Sequence, residues 1–124
     1  MQTIDQALDK LSRSRFRSGF CLTKKEQAYI AEKGMDPVRR HAADFVRLKL
    51  APAAQPNDGK QTPMHGHPAF KAMHATACCC RGCLCKWYRI RPDRPLTENE
   101  QQRIVNLLMA WIRRQYESRD STDR

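Results

Sequence analysis

Five of the six cysteines, Cys78, Cys79, Cys80, Cys83 and Cys85, fall within eight residues. A disulfide framework spreads its cysteines to staple distant segments, and this chain does not. Histidines lie just upstream, at His65, His67 and His74. Cysteines clustered beside histidines point to metal ligation or thiol chemistry. Cys80 and Cys83 form C-x2-C, a spacing that lets a tight turn bring two thiolates to one tetrahedral zinc at ~2.3 Å. Gly82 is expected to relieve the backbone in that turn. His67 and His74 complete a Cys2His2 set if His67 sits on the entry turn of a helix begun by Pro68. Along one continuous helix the two would stand about 10.5 Å apart. Otherwise Cys79 or Cys85 is the better fourth ligand.

Other chemistries suit the segment less well. An iron–sulfur cluster usually needs four suitably placed thiolates. Dithiol–disulfide cycling lacks its usual βαβ setting. A thiol activated by His74 has no acid–base partner or oxyanion arrangement that can be placed. A zinc deaminase needs His-x-Glu, and the chain reads His74-Ala75-Thr76.

A bound metal would also answer a shortage. The chain has 9 Leu, 5 Ile, 3 Val and 4 Phe, 21 of 124 residues, with a formal net charge of +10. A share under ~20% at high net charge is a warning sign for disorder. Local signals argue instead for helices. Ile4, Ala7, Leu8 and Leu11 repeat at helical spacing from Thr3 to about Leu11. The basic stretch 12–20 then reads as a helix end and turn. Thr23 and Glu26 form a capping box for a helix that stops at Gly34. Asp36 as N-cap and Pro37 at the first helical position start another, with Val38, Ala42, Phe45 and Val46 inward and Pro52 as its stop. Residues 51–66 form a long loop. Thr97 and Glu100 make a second box before a helix whose inner face is Ile104, Val105, Leu108, Trp111, Ile112 and Tyr116. The expected class is all-α: one small helical domain over 1–119, a Cys/His-rich metal-binding turn within 65–88, at most minor extended pieces around the cysteines, and a polar tail over 120–124.

The charge excess favours a polyanion such as DNA or RNA, or an acidic protein partner. Arg13, Arg15 and Arg17 surround Phe16, with Lys24 and Lys25 close behind. Arg81, Lys86, Arg89, Arg91 and Arg94 lie near Trp87 and Tyr88. Cations interleaved with aromatics suit phosphate contact and base stacking. In the loop, Asp58, Lys60 and Gln61 are candidate ligand contacts, although a phosphate-binding P-loop would need more glycine. No run of 18 apolar residues exists, so no membrane span is expected. The first 20 residues carry no apolar signal region, which makes the reducing cytoplasm the default compartment.

Several motifs together carry a resemblance. They are His67-Pro68, His74-Ala75-Thr76-Ala77, Cys79-Cys80-Arg81-Gly82-Cys83-Leu84 and Lys86-Trp87, with Asn57 to Met64, Leu11 to Ser14 and Arg94 to Thr97. On these, roughly residues 8–113 resemble the bacterial domain of unknown function 4186 family. The resemblance implies a ligand list of His67, His74, Cys79, Cys80 and Cys83. It sets aside Cys78, Cys85 and His65, and places Tyr88 where the family often has His. It implies no activity.

The expected function is therefore a small basic protein that binds a structural metal, zinc by its ligands, and contacts nucleic acid through its Arg/Lys-rich surface. The alternatives are a metal- or thiol-dependent enzyme with its site between loop 57–67 and Cys79–Cys83, and an adaptor for an acidic protein.

Overall fold

The computed structural model describes residues 2–53 and 56–122, with side chains as far as Ser118. Its elements are α1 (Ile4–Ser12), α2 (Arg15–Ser18), α3 (Lys24–Lys33), α4 (Met35–Phe45), α5 (Pro68–Ala75), α6 (Arg81–Tyr88) and α7 (Glu98–Thr122). A π-helical turn, Val46–Leu50, prolongs α4. Among the described residues there is no strand, so the class is all-α and the cysteines carry no extended ladder. No helix among them is long and apolar enough to cross a membrane. Of the segment read as a polar tail, 120–122 continue α7, and 123–124 lie outside the described residues, as do 54–55 of the long loop.

Three helices begin where their local chemistry says they should. Thr3 and Gln6 exchange side-chain and backbone hydrogen bonds ahead of α1. Thr23 and Glu26 do the same ahead of α3, at 2.8 and 3.2 Å. Thr97 and Glu100 do so ahead of α7. Each box satisfies amides that a helix start otherwise leaves bare. Glu100 also takes a two-pronged bond from Arg94, 2.8 Å on each oxygen. That bond, joined by the Thr97 amide, pulls the Glu100 carboxyl down to about 2 despite some burial.

The start of α4 differs from the expectation. Gly34 ends α3 and caps α4 at once, at φ +85° and without a side-chain cap. A left-handed residue turns the chain immediately, so the next helix begins at Met35. Asp36 therefore lies within the first turn, where its charge suits the positive helix end, and Pro37 is tolerated there for want of an amide partner. The basic stretch 12–20 also contains the short helix α2, capped by the Ser14 hydroxyl.

The helices pack around α7, which meets α1, α4 and α5. Its face Ile104, Val105, Leu108, Trp111 and Ile112 is buried as the period predicts, with Leu107 and Met109 added and Tyr116 packed at the margin. Small residues fill the rest. Ala42, Ala69, Ala72, Ala77 and Cys78 are wholly buried. Close packing of small side chains lets helices approach, which offsets the scarcity of large aliphatics.

The helix α6 is held differently, by a cation inside the fold. Arg81 is 2% exposed. Its Nη1 donates to the carbonyls of Leu50, Ala51 and Pro52 at 3.5, 3.2 and 3.1 Å. Its Nη2 donates to the carbonyls of Arg91 and Arg94 at 2.5 and 2.8 Å. These three carbonyls stand at the end of the π turn, where helical amides run out, and that of Ala51 also accepts the Leu96 amide at 2.9 Å. Arg81→Met should lower folding stability by about 3 kcal/mol or more, because it strips buried carbonyls of a charged donor. Arg81→Lys should recover only part of that, since an ammonium cannot fork across two segments. Denaturant unfolding measures both. A loss under about 0.5 kcal/mol in the Met variant, the scale of an ordinary surface change, would refute the clamp.

Candidate metal centre

The cysteine segment is shaped by two helix ends. His67 is extended, at φ −159°, and Pro68 opens α5 directly after it. Beyond α5, Ala77 takes a left-handed conformation at φ +60°. The Cys78 amide then bonds back to the Met73 carbonyl at 2.8 Å. Cys80 is extended again and caps α6 with its sulfur, which accepts the Cys83 amide at 3.3 Å. C-x2-C is thus a cap and the first turn of a helix. Gly82 is helical within that turn, not a bend residue. A Cβ there would stand 3.3 Å from an Asp58 carboxylate oxygen.

The sulfurs of Cys79, Cys80 and Cys83 lie within 4.8 Å of one another, a group that could hold a metal ion. Cys79 and Cys83 are 3.7 Å apart. Tetrahedral sulfurs at ~2.3 Å from zinc stand about 3.8 Å apart, so this pair needs almost no movement. Cys79 and Cys80 are buried and Cys83 is half-buried. Burial pushes the Cys80 thiol up to about 12, and a coordinated cation would reverse that.

Beside the sulfurs stands Arg17, 9% exposed. Its Nη2 donates to Cys83 Sγ at 3.3 Å and its Nη1 to Cys79 Sγ at 3.8 Å. The same Nη1 donates to the His74 carbonyl at 2.6 Å. Among the described residues no carboxylate pairs with it. Burial works against its charge, yet the bonds to Cys83 and Cys79 outweigh burial and raise its pKa. Three thiolates around a divalent ion leave one negative charge, which a single guanidinium balances.

His67 and His74 are outside the sulfur group. His67 Nδ1 accepts the Ala69 amide at 2.9 Å, a cap on α5. The ring's proton must therefore sit on Nε2, which lies 3.1 Å from His41 Nδ1. His41 Nδ1 is then the acceptor, and Tyr29 Oη lies 3.1 Å from the same nitrogen. No lone pair of His67 remains for a metal. His74 differs. Its Nε2 faces the carbonyls of Thr62 and Pro63 at 3.1 and 3.2 Å, so Nε2 carries the proton and Nδ1 the lone pair. Thr62 joins this ring to the turn, since its hydroxyl donates to the Cys79 carbonyl at 2.8 Å. Phe20 stacks on the His74 ring.

The remaining candidates divide by burial. Cys85 and Cys21 are exposed. Asp58 is a cap, its two oxygens accepting the Arg81 and Gly82 amides at 2.8 and 3.0 Å. Burial would raise its pKa, but bonds from Gln61 and those amides outweigh burial and lower it. Gln61 is buried, donating to Asp58 at 2.9 Å, and Lys60 is exposed. Loop 57–67 is thus bonded directly to the cysteine turn. Of the seven cations read as a nucleic-acid surface, Arg13, Arg15, Lys24, Lys25 and Lys86 are exposed. Arg17 and Arg81 are interior, because thiols and carbonyls there need a donor. Tyr88 donates its hydroxyl to the Thr76 carbonyl. His41 and Tyr29 escaped the sequence reading, and nothing in their local spacing marks them.

The family model described as domain of unknown function (DUF4186) matches residues 5–113. No solved structure matches the chain significantly.

The His67 cap makes a pH prediction. Burial, helped by the neighbouring His41 charge, lowers the ring from 6.5 to about 4. On acidification the unfolded chain takes up this proton first. The stabilisation is complete above 6.5 and is lost as pH falls toward 4. His67→Asn keeps a cap acceptor and removes the titration. Denaturant midpoints of chelator-treated protein across this range should fall less in the variant than in the wild type. Equal slopes would refute the assignment.

Proposed function

This chain belongs to the domain of unknown function (DUF4186) family, whose description names no activity, and from that premise we propose that it is a zinc-binding helical protein. Cys79, Cys80 and Cys83 hold the ion, and Arg17 balances the excess thiolate charge. The observation that carries this reading is the guanidinium of Arg17. It is buried against the Cys79 and Cys83 sulfurs, with no carboxylate on it among the described residues. A buried cation facing neutral thiols would be poorly compensated, and metal binding supplies the thiolates. His74 is the proposed fourth ligand through Nδ1. An Nε2–H held by backbone carbonyls is the usual outer partner of a ligating imidazole. Zinc suits three thiolates and an imidazole, and serves here as a structural ion that locks the α5–α6 turn. Six free thiols suit a reducing compartment, in keeping with the cytoplasm.

Protein purified without tags or chelators should carry about one zinc per chain. Cobalt substitution should give the intense visible absorption of a tetrahedral thiolate site. Cys83→Ser should abolish that absorption. Arg17→Gln should keep it but weaken metal affinity by about 10–100-fold, as loss of a group bonded to ligands does. No uptake of zinc or cobalt, or an unchanged melting temperature after metal removal, would refute the reading.

The basic exterior supports a second role, contact with DNA or RNA. Phe16 is 62% exposed on α2, beside the exposed Arg13 and Arg15. Such an aromatic among cations suits stacking of an unpaired base. Binding of a single-stranded oligonucleotide should weaken with salt by about 0.7 log units per log unit for each neutralised phosphate. Phe16→Ala should weaken it without changing that slope. Flat salt dependence would overturn this role.

A further inference from the structure

A cleft of about 590 Å³ opens between α1, the end of α6 and α7, and none of Cys79, Cys80 and Cys83 lines it. Its volume lies within the range of small-molecule sites. The walls are apolar: Ile4 and Ala7 from α1, Trp87 from α6, and Ile104 and Leu107 from α7. The floor includes Cys78, which is wholly buried. A buried cysteine behaves as a small apolar side chain, so the floor continues the apolar wall.

The rim has the opposite character. Lys10, Arg89 and Arg103 line it. The one carboxylate that lines it, Glu100, is bonded on both oxygens to Arg94. The rim is therefore net positive. Lys10 Nζ lies 5.7 Å from the Trp87 ring centroid, at the boundary between wall and rim.

Backbone strain converges on the same cleft. Among the described residues, the non-glycine positions with positive φ are Ala77 and Arg89. Ala77 immediately precedes the Cys78 floor, and Arg89 lines the rim. A left-handed conformation is unfavourable for a residue with a Cβ and tends to persist where a site requires it. At Arg89 that conformation ends α6 and turns the chain at the mouth of the cleft.

We propose that this cleft binds a small amphipathic carboxylate, with its aromatic or alkyl body against the Trp87, Ile104 and Leu107 wall and its acid group at the Lys10–Arg89 rim. The assignment is independent of the metal reading, since it uses none of Cys79, Cys80, Cys83 or Arg17. An apolar wall alone would take neutral hydrocarbons equally well. Lys10 and Arg89, which no carboxylate among the described residues pairs, select a molecule with one anionic end.

The test uses the full chain and 1-naphthoate as probe, with 1-naphthamide as its neutral counterpart. Titration is followed by amide chemical shifts and calorimetry. Naphthoate should bind one per chain, and its shifts should map to α1, residues 87–90 and the start of α7. Naphthamide should bind about tenfold more weakly, the value of one charge-assisted bond. The double variant Lys10→Gln, Arg89→Gln lies on exposed positions and should lose the same tenfold for naphthoate while melting as the wild type does. Leu107→Trp, which fills the cleft, should abolish both. Equal affinity for the two probes would overturn the carboxylate class. Shifts elsewhere, or no saturable binding, would overturn the site. So would self-association of the free protein through these residues, which would make a second copy the occupant.

Discussion

One buried guanidinium joins segments of the fold that share no apolar helix face. Arg81 ties the end of the α4 π turn to the loop before α7 through five carbonyls. Its own amide, bonded to Asp58, fixes the start of α6 and the 57–67 loop. Arginine suits this position because its charge cannot be shed by burial and its donors fork in a plane. Among the described residues no carboxylate bonds to its guanidinium. The partial charges of carbonyls at a helix C-terminus take that place, and Arg94 nearby joins burial in lowering the Arg81 pKa. Its Nε has no partner among the described residues. The clamp is therefore strong in number of bonds and imperfect in satisfaction, as expected of a group placed by the needs of three segments at once.

Arg17 repeats the device for a different purpose. Both arginines fill volume that aliphatics would occupy in a richer core, and both must find negative charge inside. Arg81 finds carbonyl dipoles. Arg17 finds one carbonyl and two sulfurs. That difference sets the chemistry of the two places. Carbonyls make a structural clamp, whereas sulfurs beside a fixed cation make a site that gains from losing protons. The region where Leu, Ile, Val and Phe are scarcest is thus organised by polar groups that reach across the chain. His67 capping α5, Asp58 capping α6 and Thr62 holding the Cys79 carbonyl belong to the same layer.

What could be read in the sequence follows the range of each interaction. The capping boxes at Thr23 and Thr97 span three residues, and the α7 face repeats at a fixed period, so both are visible without a fold. The α4 start misled because Asp36-Pro37 is a good signal and Gly34 a stronger one. A glycine free to take φ +85° turns the chain before the cap can act. The π turn leaves no local mark. Asp58 reaches Arg81 across 23 residues, and Arg17 reaches Cys83 across 66. Neither pairing has a periodicity, so both arginines read as surface charge, and Asp58 reads as a ligand contact rather than a cap.

The cysteine run shows how spacing and role come apart. Cys79 and Cys83 are four apart and Cys80 and Cys83 three apart, spacings that put side chains on one face of a helix and its cap. Cys85 is two beyond Cys83, about 200° around α6, and so faces solvent. Cys78 precedes the turn and lies wholly buried toward the cleft between α1, α6 and α7. Five cysteines in eight residues thus separate into three that converge, one that packs and one that is exposed. Density alone suggests a larger ligand set than helical geometry permits. The residue just before the converging group, Cys78, lines the cleft, so one short segment of chain serves both places.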